Sequence, residues 1–233
     1  GWSAGQSSNG NNNVFTGYQA GMGTVGSGNI ASGLNAGVNV TANQTISIGA
    51  NSLASKDDAV AIGTDAVASG ERSIAIGHDA IATGSVAMGA SARAGNGGAA
   101  FGDGAVATYN GGVNDPAIDA GAALGENALA DVSGATALGT SSSVTVEDGV
   151  ALGSNSVADT AAGVAGYDPV TGIASTDTTP TWQSTSGAVS VGDAANGITR
   201  QITDVAAGTE LTDAVNVAQL QAAQAAATTH YYS

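Results

Sequence analysis

Val60-Ala61-Ile62-Gly63-Thr64-Asp65-Ala66-Val67-Ala68 and, fourteen residues later, Ile74-Ala75-Ile76-Gly77-His78-Asp79-Ala80-Ile81-Ala82 are one phrase written twice. Moving outward in both directions, the triplet that ends in glycine recurs at Gly49, Gly63, Gly77, Gly89, Gly102, Gly125, Gly139, Gly153 and Gly192. The intervals are 14, 14, 12, 13, 23, 14, 14 and 39 residues. A sustained period near fourteen, stretched twice, marks a stacked repeat and not a single globule. Weaker echoes, Val14-Phe15-Thr16-Gly17 and Asn29-Ile30-Ala31-Ser32-Gly33, precede these at intervals of sixteen and bring the total to eleven glycine-marked coils.

Within each of the nine clear phrases the residue before the glycine is large and the residue two before it is Ala or Ser, the alternation of a β-strand. The small row never leaves Ala and Ser, so something must press against it. A second copy of the chain is expected to do so, through Ala61, Ala75, Ala87, Ala100, Ala123, Ala137 and Ala151. After the glycine a second short strand follows. Its positions +3 and +5 are small (Ala66 and Ala68, Ala80 and Ala82), whereas +4 runs through Val67, Ile81 and Arg93 and is expected to face water. The interior is then expected to pair the large residues of strand one with the alanines of strand two. Glycine at the junction fits a bend with positive φ, and coils stack as parallel strands about 4.8 Å apart.

Composition agrees with thin layers. Of 233 residues, 36 are Gly and only 4% are aromatic. The net charge of −15, with Lys56, Arg72, Arg93 and Arg200 as the only bases, argues against nucleic acid and anionic lipid, which need clustered cations. Cysteine is absent, so disulfides play no part. No apolar run is long enough to span a bilayer, so direct membrane insertion is not expected. The chain starts in mid-pattern and stops within a helix, which reads as a piece of something longer.

Two insertions interrupt the period, about 108–118 and 159–187. The longer carries Tyr167-Asp168-Pro169, Thr171-Gly172 and Trp182, turn chemistry that predicts an ordered excursion. Trp182 is expected to pack over a neighbouring chain or coil, and Tyr167 and Trp182 are the candidate ligand-binding residues. From Thr212, a capping residue, the sequence turns helical, with Val217, Leu220, Gln224, Ala227 and Tyr231 at alternating steps of three and four. A helix this short needs partners, so Val217, Leu220 and Gln224 are expected to pack in an oligomeric seam.

The repeats Ser73 to Gly77 and Ser85 to Gly89, followed by Ile198-Thr199-Arg200-Gln201-Ile202-Thr203-Asp204-Val205-Ala206-Ala207-Gly208-Thr209 and Asp213-Ala214-Val215-Asn216-Val217-Ala218-Gln219-Leu220, resemble the YadA-like head and neck of trimeric autotransporter adhesins. The longer insertion is similar to that family's head insert motifs. The resemblance implies an all-β solenoid, a left-handed parallel β-roll, assembled as a homotrimer. It divides the chain into a head at 1–195, a neck at 196–214 and the start of a coiled-coil stalk at 215–233. It also implies anchoring in a bacterial outer membrane through a region outside this sequence.

Three functions compete. The first is an adhesive head that attaches polyvalently to host extracellular-matrix or cell-surface proteins. The second is a spacer that holds another adhesive domain away from the cell. The third is a trimeric β-helix acyltransferase, which needs a period of six and an intersubunit histidine. The period is fourteen and the histidines are His78 and His230 alone. No catalytic residue, cofactor or metal site is expected, since no Ser/His/acid set, phosphate loop or calcium nonapeptide is present.

Overall fold

A computed structural model describes residues 1–111 and 120–230. Its strands form two parallel ladders. An eleven-stranded sheet runs in order through Val14–Thr16, Ile30–Ser32, Ile46–Ile48, Val60–Ile62, Ile74–Ile76, Val86–Met88, Ala99–Phe101, Ala122–Leu124, Thr136–Leu138, Val150–Leu152 and Val189–Ser190. An eight-stranded sheet runs from Leu53–Ala54 to Val157–Ala158. The chain visits each sheet once per coil, which makes a parallel β-solenoid. Register is set by the phrase itself: Val60, Ala61 and Ile62 pair with Ile74, Ala75 and Ile76.

From Gly49 onward the corner from the first strand to the second takes four residues, as in Gly63–Ala66 and Gly77–Ala80, whereas in the two coils before it eight residues, 17–24 and 33–40, lead from the first strand to Val25 and Thr41. Its backbone explains its sequence. Gly63 and Asp65 have φ of 134° and 58°, Gly77 and Asp79 of 136° and 56°. Asp and Asn enter the left-handed region more readily than other non-glycine residues. Glycine is required at the first position for a second reason, because a Cβ on Gly63 would run into the carbonyl of Gly77 in the next coil. The return corner varies instead, from three residues at Thr83–Ser85 to the thirty between Ala158 and Val189. From Gly49 onward the shortened and the stretched intervals all arise there.

The interior reverses the expected facing. Ala61, Ala75, Ala87, Ala100, Ala123, Ala137 and Ala151 are at most 1% exposed and form one core with Ala66, Ala68, Ala80 and Ala82 of the same chain. What presses on the small row is the chain's own return strand, so these alanines are not surfaces for a second copy. The large residues expected inside point outward: Ile62, Ile76 and Val191 are half-buried, and the others run from 37% exposed at Phe101 to 52% at Leu124. The cause is close approach of the two sheets: with small residues on both facing rows the interior closes to native packing density without room for Ile or Leu. The +4 residues, such as Val67, Ile81 and Arg93, are half-buried on the outer face.

The earliest coils use sixteen residues. Their second strand shrinks to single bridges, Asn9 to Val25 to Thr41, and Phe15 packs on Ala20, Ala31 and Ala36. A polar ladder replaces alanine beside them. Asn29 Oδ1 accepts from the Thr45 amide at 3.0 Å and the Thr45 hydroxyl at 2.8 Å, and Asn29 Nδ2 donates to the Ala42 carbonyl at 3.0 Å, so both ends of the buried amide are hydrogen-bonded.

The described chain forms two units. The solenoid comprises Gly1–Ala161 and Ser186–Ile198; the second unit comprises Ala162–Thr185 and the described residues from Thr199 onward. In the second unit one helix, Val217–His230, begins later than Thr212. Its cap is Asn216, whose Oδ1 accepts from the Gln219 amide at 3.0 Å while Gln219 Oε1 accepts from the Asn216 amide at 3.2 Å. This is a reciprocal capping box. Among the described residues no helix is long and apolar enough to cross a membrane.

Candidate functional site: the outward faces and the insertion

The surface is best built up by rows. On the first sheet, Ile48, Met88, Phe101, Leu124, Leu138 and Leu152 are exposed and, with the half-buried Ile62 and Ile76 between the first two, form one outward apolar file, because each precedes a repeat glycine and all strands are in register. The arithmetic of the period could have located this file: once both small rows line the interior, parity sends the large row outward. Such an area of contiguous apolar surface is unusual on a lone soluble chain and marks an interaction face.

At the return corner the first insertion begins. Arg93 lies over the Tyr109 ring at 5.5 Å, and Tyr109 donates its amide to Asp131 Oδ1 at 2.7 Å. Desolvation nevertheless raises the Asp131 carboxyl above the usual range. Most of the expected 108–118 insertion, from 112 onward, lies outside the described residues.

The longer insertion is ordered, as its turn residues predict. Tyr167–Asp168 pairs antiparallel with Ile173–Ala174. Asp168 closes the hairpin: its Oδ1 accepts from the Val170 amide at 2.8 Å and its Oδ2 from the Thr171 hydroxyl at 2.9 Å, which lowers its pKa. Gly172 ends the turn at a φ of 74°. Gly166 donates to the Trp182 carbonyl at 2.6 Å, and the half-buried Trp182 lies beside Gly166 within the insertion itself. Tyr167 is 68% exposed, and Val170 and Ile173 are exposed with it. The hairpin therefore presents Tyr167, while the Trp182 backbone carbonyl is bonded at its base.

Around the start of the helix, Asn216 Nδ2 donates to the Val205 carbonyl at 3.2 Å, and Gly208 and Gln219 exchange two hydrogen bonds at 3.2 and 3.0 Å. Ile202, Leu211, Val215, Val217 and Leu220 stay exposed in the single chain. Gln224 is exposed, and Tyr231 lies outside the described residues.

A glycine-cornered parallel β-solenoid, followed in sequence by a capped helix, defines the class of fold. The YadA head domain repeat matches residues 54–80, 121–142 and 133–156, and the coiled stalk of trimeric autotransporter adhesin matches 201–230. The crystal structure of the collagen-binding domain of the Yersinia adhesin YadA aligns with a TM-score of 0.58 at 31% identity, covering 79% of this chain and 84% of that one. The chain belongs to the YadA-like trimeric autotransporter adhesins. It is also similar to autotransporter adhesin BadA of Bartonella henselae, 62% identical over 61 residues, 26% of this chain. Trimeric autotransporter adhesin AtaA of Acinetobacter sp. strain Tol 5 is 57% identical over 65 residues, 27% of this chain. The matched stretches span 2% of each of these two relatives.

Proposed function

We propose that this chain is the adhesive head of a surface-displayed trimeric adhesin and attaches polyvalently to host extracellular-matrix or cell-surface proteins. The observation that carries this reading is the likeness to a collagen-binding domain across 84% of that domain's length. In the proposed homotrimer the outward apolar file is the face that the copies share, and Val217, Leu220 and Gln224 form the seam of the stalk. Residues 1–195 act as head, 196–214 as neck and 215–233 as the first turns of the stalk. The +4 faces and the insertion hairpin with Tyr167 remain outside the trimer as contact surface. Three copies of each weak contact on one rigid head raise avidity without any strong single site.

The test is binding of the purified chain to immobilised collagens, fibronectin, laminin and bare plastic, with a variant lacking Asp159 to Gly187. Saturable binding to a matrix protein above the plastic background supports the proposal, and its loss in the deletion variant assigns it to the insertion. A trimer that binds none of these surfaces overturns it in favour of the spacer reading.

A further inference from the structure

At the four-residue corner of two consecutive coils, Asp65, His78 and Asp79 converge. One carboxylate oxygen from each aspartate and one imidazole nitrogen all lie within 4.8 Å of one another. Among the described residues this is the one group of three or more His, Cys, Asp or Glu side chains so arranged.

The fold builds the group. Asp65 and Asp79 occupy the same left-handed position one coil apart, with φ of 58° and 56°. The Asp79 amide donates to the Thr64 carbonyl at 3.0 Å, which fixes one corner upon the next. Earlier in the same column the side chains form a ladder in which each coil supplies a donor to the following one. Asn35 Nδ2 donates to Asn51 Oδ1 at 3.2 Å, and Asn51 Nδ2 donates to Asp65 Oδ1 at 3.0 Å. At Asp65 the donors run out, because the next residue in the column is a second carboxylate. Two acceptors stacked at strand spacing repel each other, and a cation between them takes the place of the missing N–H. His78, with its Nδ1 at 3.0 Å from Asp79 Oδ2, adds a nitrogen ligand at the same point.

We propose that Asp65, His78 and Asp79 bind one late first-row divalent transition ion per chain, with Zn²⁺ as its probe. An imidazole with two carboxylates suits zinc and its neighbours, whereas Ca²⁺ and Mg²⁺ take oxygen ligands almost throughout. The side chains of His78 and Asp79 are 63% and 48% exposed, so water completes the coordination. The ion clips one coil to the next. It adds to the adhesive reading without depending on it.

The test is isothermal titration of the chelator-treated chain with ZnCl₂, alongside Asp65→Asn, Asp79→Asn, His78→Ala and, as a control, His230→Ala. Asn already holds the equivalent left-handed corner at Asn51 and Asn155, so both Asn variants keep the backbone, which metal-free thermal melts verify. The expected result is one ion per chain, affinity lowered about tenfold or more in each of the three site variants, an unchanged His230→Ala and no displacement by millimolar Ca²⁺ or Mg²⁺. Absence of Zn²⁺ uptake, uptake indifferent to His78→Ala and Asp65→Asn, uptake lost in His230→Ala, or displacement by Ca²⁺ or Mg²⁺ would overturn the site.

Discussion

Ser47 and Ala54 meet across the interior of one coil, where the Ala54 amide donates to the Ser47 hydroxyl at 2.9 Å. Ala54 lies in the terminal strand of the eight-stranded sheet, so no further strand is there to receive its N–H. The hydroxyl supplies the acceptor from the opposite sheet. One bond thus explains why Ser replaces Ala at this point of the small row, and it shows how thin the interior is.

Ser47→Ala leaves a buried amide unpaired, and an unsatisfied buried donor costs about 1–3 kcal/mol. The control is Ala75→Ser, set in mid-ladder. Denaturation midpoints at equal protein concentration check the pair: Ser47→Ala is expected to fall clearly, and an unchanged midpoint would show that the bond is dispensable.

Ala75→Val adds two methyl groups to a closed interior and is expected to cost about 1–3 kcal/mol, as overpacking does. Val67→Ala, on the outer face, is expected to cost less. Thermal melts of the two variants give the comparison, and the opposite order would mean that Ala75 does not lie in a closed interior.

On the proposed trimer, Leu124→Asp combined with Leu138→Asp places two carboxylates per chain in the shared face. Light scattering coupled to gel filtration is expected to report the mass of one chain. Persistence of a trimer with unchanged melting would exclude this file as the interface.

Gly77→Ala meets two obstacles, a φ of 136° and the Gly89 carbonyl in the next coil. Strain of this kind costs about 1–3 kcal/mol before the clash is counted. Asp79→Asn, two residues away in the same corner, is expected to be nearly neutral. Expression yield and melting temperature of the two variants discriminate; equal effects would sink the argument from corner geometry.

The Asp213 carboxylate accepts from the amides of Glu210 at 3.0 Å and Thr209 at 2.8 Å, and these bonds lower its pKa from 3.8. An acid depressed in the folded state contributes stability that is present above its unfolded value and lost as the pH falls through its folded one. The turn is therefore expected to hold down to pH 3.8 and to open only below it. Amide chemical shifts of Thr209 and Glu210 followed from pH 6 to 2 would show a midpoint below 3.8, absent in Asp213→Asn. A midpoint at or above the ordinary value contradicts the assignment.

The coil, its period and its register were legible in the sequence, because glycine spacing and strand alternation are local properties. All eleven glycine-marked strands pair where the phrase places them. The facing of Ala61 and Ile62 was not legible from alternation alone, which yields two faces and no label for the inner one. The label lay in Ala66 and Ala68, whose smallness already demanded a small partner opposite. The helix start was misplaced because Thr212 and Asn216 are both competent caps; Gln219, completing the box with Asn216, decides between them. The Asp65–His78–Asp79 group joins residues thirteen and fourteen positions apart, and it becomes visible only when the chain is folded into rows.

The four-residue corner, constant from Gly49 to Ser156, has an evolutionary counterpart. Since residues added or deleted between Gly49 and Gly192 leave the stack only along the opposite flank, the scaffold keeps its pitch whatever is grafted there. Novelty in what the head displays is thereby confined to a single side, and each new graft inherits a rigid mount without any change to the alanines beneath it.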